Sequence, residues 1–192
     1  MTSTDAEADE EWRLVESVQN GDLGAFDGLV RRHMRRGFSI AYRMLGQRED
    51  AEDLVQDAFL AALQGIQTFQ PGRPFGPWFY RIVVNRGNNA RRARALRETE
   101  TIPEAASARL PSPEQSAERA DLRRRLAKAM ASLPERERIV VLLFELEGFT
   151  SAEIAEILQV PAGTVRWSLH RARKILRASL APLAKEERQH DR

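Results

Sequence analysis

Between Glu98 and Ser116 the chain turns to Thr, Glu, Ala and Ser, interrupted by Pro103, Pro111 and Pro113. Such a stretch cannot bury enough apolar surface to offset the entropy of ordering it. It reads as a linker, 98–116, dividing the sequence into two pieces, 1–97 and 117–192. Each piece is short and must build a core from whatever regular structure its own sequence supports. On both sides of the linker apolar residues recur at helical spacing, and no segment sustains the alternation of β-branched and polar residues that marks a strand. The expected fold is all-α: two small helical domains joined by a flexible linker.

The punctuation sets the elements. A first helix is expected near Glu11 to Gln19, closed by Asn20 and Gly21, and a second from about Leu23 to Leu45, closed by Gly46. A third runs from about Arg48 to Gly65. Pro71, Gly72, Pro74, Gly76 and Pro77 then force a loop, and a fourth helix starts around Pro77 and reaches about Arg97. Gly87 inside it costs about 1 kcal/mol relative to Ala, with no local reason in the sequence. Beyond the linker, helices are expected at about Ala117 to Ser132, Pro134 to Glu147, Ser151 to Leu158 and Ala162 to Leu180. Pro134 suits a first helical position, with Ser132 ahead of it as the cap.

Composition narrows the function. With 42% hydrophobic residues the chain can bury a core, and without cysteine it has no disulfide, zinc ribbon or thiol switch. No run approaches the roughly 18 apolar residues that span a bilayer, and the amino terminus is polar and acidic, unlike a secretory signal. These features point to a soluble, cytoplasmic protein. The 30 Lys and Arg nearly balance the 28 Asp and Glu, but the charges are segregated: acidic from Asp5 to Glu11, basic from Arg81 to Arg97 and again from Arg166 to Arg177. Blocks of positive charge in a balanced chain suggest a polyanionic partner.

The stretch TSAEIAEILQVPAGTVRWSLHRARKIL, Thr150 to Leu176, is a short helix, a tight turn through Gln159, Val160 and Pro161, and a second amphipathic helix. That is a helix-turn-helix. Val165, Leu169, Ala172 and Leu176 share one face and turn inward, while Trp167, His170 and Lys174 lie opposite, flanked by Arg166, Arg173 and Arg171. Such a helix fits the major groove, where Arg bonds guanine and other cations hold phosphates. No acidic residue occurs between Glu156 and Glu186, whereas an ordinary solvated face mixes both signs. Trp167 can equally pack on a neighbouring helix or touch DNA.

In the third helix Ala51, Leu54, Val55, Ala58 and Ala62 form a buried stripe, with Asp53, Gln56, Asp57 and Leu60 on the far side. A leucine within an acidic face suits a protein partner, though single exposed leucines are also ordinary. The fourth helix turns Phe79, Ile82 and Val83 inward and sets Arg81, Asn85, Asn88 and Arg92 on the other face. Aromatics (Phe69, Phe75, Trp78, Tyr80) stand before and among these cations, the mixture that single-stranded nucleic acid favours. Phe75 and Trp78 are expected in the core and Phe69, in the loop, outside it.

Two other classes are weighed. A dimeric helix-turn-helix regulator would explain the carboxy-terminal half and leave the amino-terminal cluster without a role. An enzyme is remote: His33, His170 and His190 lack a metal-ligand spacing, and there is no Gly-rich phosphate loop or nucleophile pair. No cofactor or metal is implied.

These constellations, in this order, resemble the extracytoplasmic-function sigma factors of the sigma-70 family, from about Ala25 to Leu180. AEDLVQDAFLAAL is similar to the family's segment that grips the clamp helices of core RNA polymerase, PGRPFGPWFYRIVVNR to its minus-ten-reading and melting segment, and LPERERIVVLLFELEGFTSAEIAEILQVPAGTVRWSLHRARKIL to its minus-thirty-five domain. The resemblance implies Asp53, Gln56 and Asp57 for core binding, Phe69, Arg73, Tyr80, Arg81 and Asn85 for the opened minus-ten strand, and Arg166, His170 and Arg171 for the minus-thirty-five duplex. Trp167 and Ser168 stand where members often carry Ser then Arg, so promoter preference does not transfer. The resemblance also implies core polymerase and promoter DNA as partners, makes an anti-sigma protein an expectation, and leaves no room after Leu183 for the added carboxy-terminal domain of some members.

Overall fold

The structure, a computed structural model, describes residues 3–70, 72–100 and 116–190, with side chains for 9–70, 72–97 and 124–181. Its elements are α1 (Ser3–Gln19), a 3-10 turn (Leu23–Ala25), α2 (Phe26–Leu45), α3 (Arg48–Gly65), a second 3-10 turn (Ile66–Thr68) and α4 (Phe75–Glu100). After these come α5 (Ser116–Ala131), α6 (Glu135–Val141), a π-helical turn (Leu142–Leu146), α7 (Ser151–Leu158) and α8 (Ala162–His190). No strand occurs among the described residues. Helices α1 to α4 belong to one compact unit, and α5, α6 and α8 to another. Most of the expected linker, residues 101–115, lies outside the described residues, while α4 continues to Glu100.

In the first unit α2, α3 and α4 pack against one another and α1 lies across α2. Leu29, Ile40, Val55, Phe75, Phe79 and Val83 are essentially fully buried, and Phe59 stacks on Phe79 at 4.2 Å. Each such side chain contributes about 1.5 to 3 kcal/mol by leaving water. Two glycines permit the close approach. A Cβ on Gly37 would stand 2.9 Å from the Phe79 ring and 3.0 Å from Val55. One on Gly87 would stand 2.7 Å from Cε of Met44, which gives Gly87 the tertiary reason the sequence did not show.

Helix α4 begins at Phe75, two residues before the expected start at Pro77. Proline is tolerated there because the first-turn amides have no intrahelical acceptor. The Phe75 amide donates instead to the Glu11 carboxylate of α1 at 3.0 Å, a negative charge at the positive end of the helix. Ser132 does not cap α6. Its hydroxyl donates back to the Ala129 carbonyl at 2.7 Å, and Pro134, extended at ψ 152°, occupies the cap position before Glu135 and not the first helical position.

In the second unit Leu133, Val141 and Ala172 form a core with Met130, Ile175 and Leu176 packed around it. Thr150 and Glu153 make a capping box at the start of α7: the Thr150 amide donates to Glu153 at 2.7 Å and the Glu153 amide to Thr150 Oγ1 at 3.2 Å. The turn into α8 passes through Gln159 at φ 54°, a left-handed conformation in which its side chain reaches the Glu156 carbonyl at 2.8 Å. Helix α8 runs to His190, beyond its expected end at Leu180.

Candidate polymerase and nucleic-acid interfaces

Helix α3 divides as its sequence pattern requires. Ala51, Leu54, Val55, Ala58 and Ala62 are buried, while Asp53, Gln56, Asp57 and Leu60 are exposed, Leu60 at 59%. Asp57 lies 3.5 Å from Arg86 of α4, but both are open to water, so this pair contributes little and leaves the face acidic. A groove separates the helices, lined by Asp50, Asp53 and Asp57 from α3 and by Arg86, Arg91 and Arg94 from α4.

On α4, Phe79, Val83 and Val84 face the core. Arg81 and Asn88 are half-buried and Asn85 and Arg92 exposed, spaced so that all share the outer face. The Asn88 amide oxygen is buried without a hydrogen bond among the described residues. Arg73 is exposed in the loop before α4.

The aromatic residues require a correction. Phe69, expected outside the core, is only 5% exposed. The 3-10 turn after α3 folds the chain back, and an extended Phe69 drops its ring among Trp12, Phe75 and Trp78 at 6.4, 5.9 and 5.1 Å. Tyr80 is likewise buried, its hydroxyl 2.9 Å from His33 Nδ1. Neither ring offers a free face to a base in this conformation. Phe75 is in the core as expected, and Trp78 is half-buried.

His33, which the sequence left without a role, sits at the centre of this region. Its Nε2 lies 2.6 Å from Glu11 Oε1, so Glu11, His33 and Tyr80 form one buried chain joining α1, α2 and α4. His33 Nε2 faces the carboxylate and Nδ1 faces the Tyr80 hydroxyl, so both ring nitrogens are engaged. Burial pushes the Glu11 carboxyl up. The His33 hydrogen bond and charge, the Phe75 amide and Arg32 together outweigh it and hold the group below its ordinary range. The partners lie 22 and 47 residues apart in sequence, so no local pattern shows them.

In the second unit Val165, Leu169 and Ala172 are buried as expected. Arg166, Trp167, His170 and Lys174 are exposed, and Arg166 and Lys174 pair with no carboxylate among the described residues. Trp167 is 55% exposed, so it does not pack into a neighbouring helix; the Arg171 guanidinium lies over its ring at 5.2 Å. Arg171 and Arg173 are engaged within the fold. Arg171 bonds Glu137 at 3.3 Å, and Arg173 bonds Glu145 at 2.7 Å and lies over Phe144. Ser168, beside Trp167, is fully buried.

One small helical unit sets an acidic helix beside an Arg and Asn helix, and the other carries a helix-turn-helix whose Arg166 and Lys174 pair with no carboxylate among the described residues, the arrangement of a nucleic-acid-binding protein. Residues 29–97 match sigma-70 region 2, and residues 123–176 match sigma-70 region 4. The chain is 38% identical to the ECF RNA polymerase sigma factor SigE of Mycolicibacterium smegmatis, over 87% of this chain and 66% of that protein. It is 31% identical to the RNA polymerase sigma-H factor of Pseudomonas aeruginosa over 93% of this chain and 97% of that one. With the ECF sigma-E factor of Escherichia coli the identity is 34% over 88% and 94%. Among solved structures, CnrH in complex with the cytosolic domain of CnrY is 29% identical with a TM-score of 0.67, over 90% of this chain and 98% of that one. The sigma factor RpoE of Bartonella quintana, solved with the anti-sigma factor NepR, shares the fold at 23% identity and a TM-score of 0.61, over 81% and 96%. The chain belongs to the sigma-70 family, as an extracytoplasmic-function sigma factor. It directs promoter-specific initiation with core RNA polymerase and is not an enzyme.

Proposed function

We propose that three surfaces divide this work. Asp53, Gln56, Asp57 and Leu60 on α3 bind core polymerase; Arg73, Arg81, Asn85, Asn88 and Arg92 hold the opened minus-ten strand; Arg166, Trp167, His170 and Lys174 meet the minus-thirty-five duplex. Phe69 and Tyr80 support the second surface from beneath, and Arg171 and Arg173 shape the third. The sequence division into 1–97, 98–116 and 117–192 then reads as a melting domain, a tether and a duplex-reading domain. No helix among the described residues is long and apolar enough to cross a membrane, which fits work in the cytoplasm. CnrH was solved with the cytosolic domain of CnrY and the Bartonella RpoE with the anti-sigma factor NepR, and by analogy an anti-sigma protein acts on this chain.

The observation that carries this reading is the segregation of chemistry onto separate helix faces. The outer face of α3 is acidic around one exposed leucine, that of α4 is Arg and Asn, and α8 turns outward Arg166 and Lys174, which pair with no carboxylate among the described residues. Three sets of substitutions test it in reconstituted holoenzyme: Asp53→Ala with Asp57→Ala, Arg81→Ala with Asn85→Ala, and Arg166→Ala. The first should weaken core binding with a nearly unchanged thermal midpoint. The second should spare core binding and prevent opening, and the third should weaken the upstream element alone. Core binding lost through the α4 pair and kept through the α3 pair would reverse the assignment.

A further inference from the structure

The matched region 2 begins at residue 29, so nothing in the family match gives α1 a task. The structure ties α1 to both ends of the segment between α3 and α4. At the near end, Gln19 Nε2 donates to the carbonyls of Ile66 at 2.7 Å and Phe69 at 3.0 Å, and Gln67 Nε2 returns a bond to the Gln19 carbonyl at 3.1 Å. At the far end, Glu11 accepts from the Phe75 amide at 3.0 Å and, through His33, holds the Tyr80 hydroxyl. Trp12, between them on α1, meets the Phe69 ring. Between these anchored ends Gln70, Gly72, Arg73 and Pro74 are exposed.

We propose that Gln19 and Glu11 are positioning residues for minus-ten reading: α1 fixes the span between the Phe69 carbonyl and the Phe75 amide and thereby sets where Arg73 and the first turns of α4 meet the strand. This rests on the reading of Arg73 and α4 as the minus-ten surface. The physical argument is one of pre-organisation. In the connection Gln70-Pro71-Gly72-Arg73-Pro74 the prolines restrict their own and the preceding residues, so the freedom concentrates at Gly72, which sits in the left-handed region at φ 78°. Bonding its flanks to a packed helix removes that freedom before DNA arrives, so less is lost on binding. The Ile66 carbonyl already accepts from the Phe69 amide at 3.0 Å inside the 3-10 turn and takes Gln19 on its second lone pair, and the amide side chain has a second donor for the Phe69 carbonyl.

The test uses full-length protein with core polymerase and a minus-ten strand selected from a random pool by the wild-type holoenzyme. The readout is the ratio of affinities for that strand and for singly substituted strands. A ratio is insensitive to the folded fraction, so a merely structural defect leaves it unchanged. Gln19→Met keeps length and removes both donors; it should lower the ratio about fivefold, the equivalent of roughly one net hydrogen bond, with core affinity retained. Glu11→Gln leaves a single acceptor oxygen for two donors and should act in the same direction. Gln67→Ala removes the third tie from an exposed position that the fold tolerates; it should lower the ratio about twofold, keeping the proposal testable if Gln19→Met does not fold. Arg73→Ala and Asn85→Ala are the controls. If they collapse the ratio while the Gln19, Glu11 and Gln67 variants leave it intact, α1 is no positioning element. If they too leave it intact, the minus-ten assignment fails, and this proposal with it.

Discussion

Arg171 separates a residue that reads DNA from one that holds the reader in shape. Its guanidinium bonds Glu137 at 3.3 Å, and the Glu137 side chain is only 4% exposed against 49% for Arg171. Removing one partner of a fully buried pair costs about 3 to 5 kcal/mol, because the other charge stays behind without compensation. Here water reaches the guanidinium and the contact is long, so solvent screening reduces the expected loss to about 1 to 2 kcal/mol. Losing the stack on Trp167 adds roughly 0.5 kcal/mol. A total near 2 kcal/mol in a domain this small lowers the melting midpoint on the order of 10 °C.

The two units can melt separately, so Arg171→Ala should be followed through amide signals of α6 and α8 in the full chain. Arg166→Ala is the control and should leave that transition within about 0.5 kcal/mol. Adding Glu137→Gln to Arg171→Ala replaces the stranded carboxylate with a neutral amide and should recover about half of the loss. An unchanged midpoint in Arg171→Ala, together with lost preference at one or two upstream base pairs, would refute the argument and make Arg171 a base reader.

Arg166→Ala should cost about 1 to 3 kcal/mol of upstream binding and relax preference at one or two base pairs, while Lys174→Ala, two turns on, should weaken all sequences alike and lower the salt slope by about one unit; holoenzyme binding across a salt series checks both. Glu11 should make the first unit acid-sensitive. Its folded carboxyl lies below its ordinary range, so its contribution is present above that range and lost as pH falls from ~4 through the lowered value. Urea titrations at several pH values should show wild type and Glu11→Gln converging in stability as the pH falls, and a constant gap would count against it. Thr150→Ala removes half of the α7 capping box and should destabilise the second unit by about 1 kcal/mol, with Thr150→Ser close to wild type in the same α6 and α8 signals.

What the sequence showed follows the distance over which its forces act. The two faces of α3 were legible because helical spacing alone puts Asp53, Gln56 and Asp57 opposite Ala51, Leu54 and Val55, and the structure keeps them there. The ends of α3 and α7 were legible through Gly65 and the Gln159 turn. The start of α4 was not, because the group that satisfies Phe75 is Glu11, 64 residues earlier. Phe69 was misplaced for a related reason: a loop address says nothing about which ring cluster lies beneath the loop. Arg171 and Arg173 looked like any outward cations, since Glu137 and Glu145 stand 34 and 28 residues away.

The same distinction bears on how such a protein acquires specificity. Residues that touch a polymerase or a base must be exposed before the partner arrives, so periodicity finds them. The groups that aim them must be buried and bonded, and those bonds close over long loops that carry no local signature. On the proposed assignment the exposed contacts include Arg73 and Asn85 in one unit and Arg166, His170 and Lys174 in the other, while the aiming set is Glu11, Gln19 and His33 in one and Glu137 in the other. On that assignment a substitution in the exposed set changes which group meets the promoter. A substitution in the aiming set leaves every contacting group in place and changes its geometry, so it alters preference without altering the apparent contact surface. On this argument two chains can share the same outward residues and still prefer different promoters; on α8 the Arg171 guanidinium laid over the Trp167 ring is the contact through which Glu137 would shape the outward face.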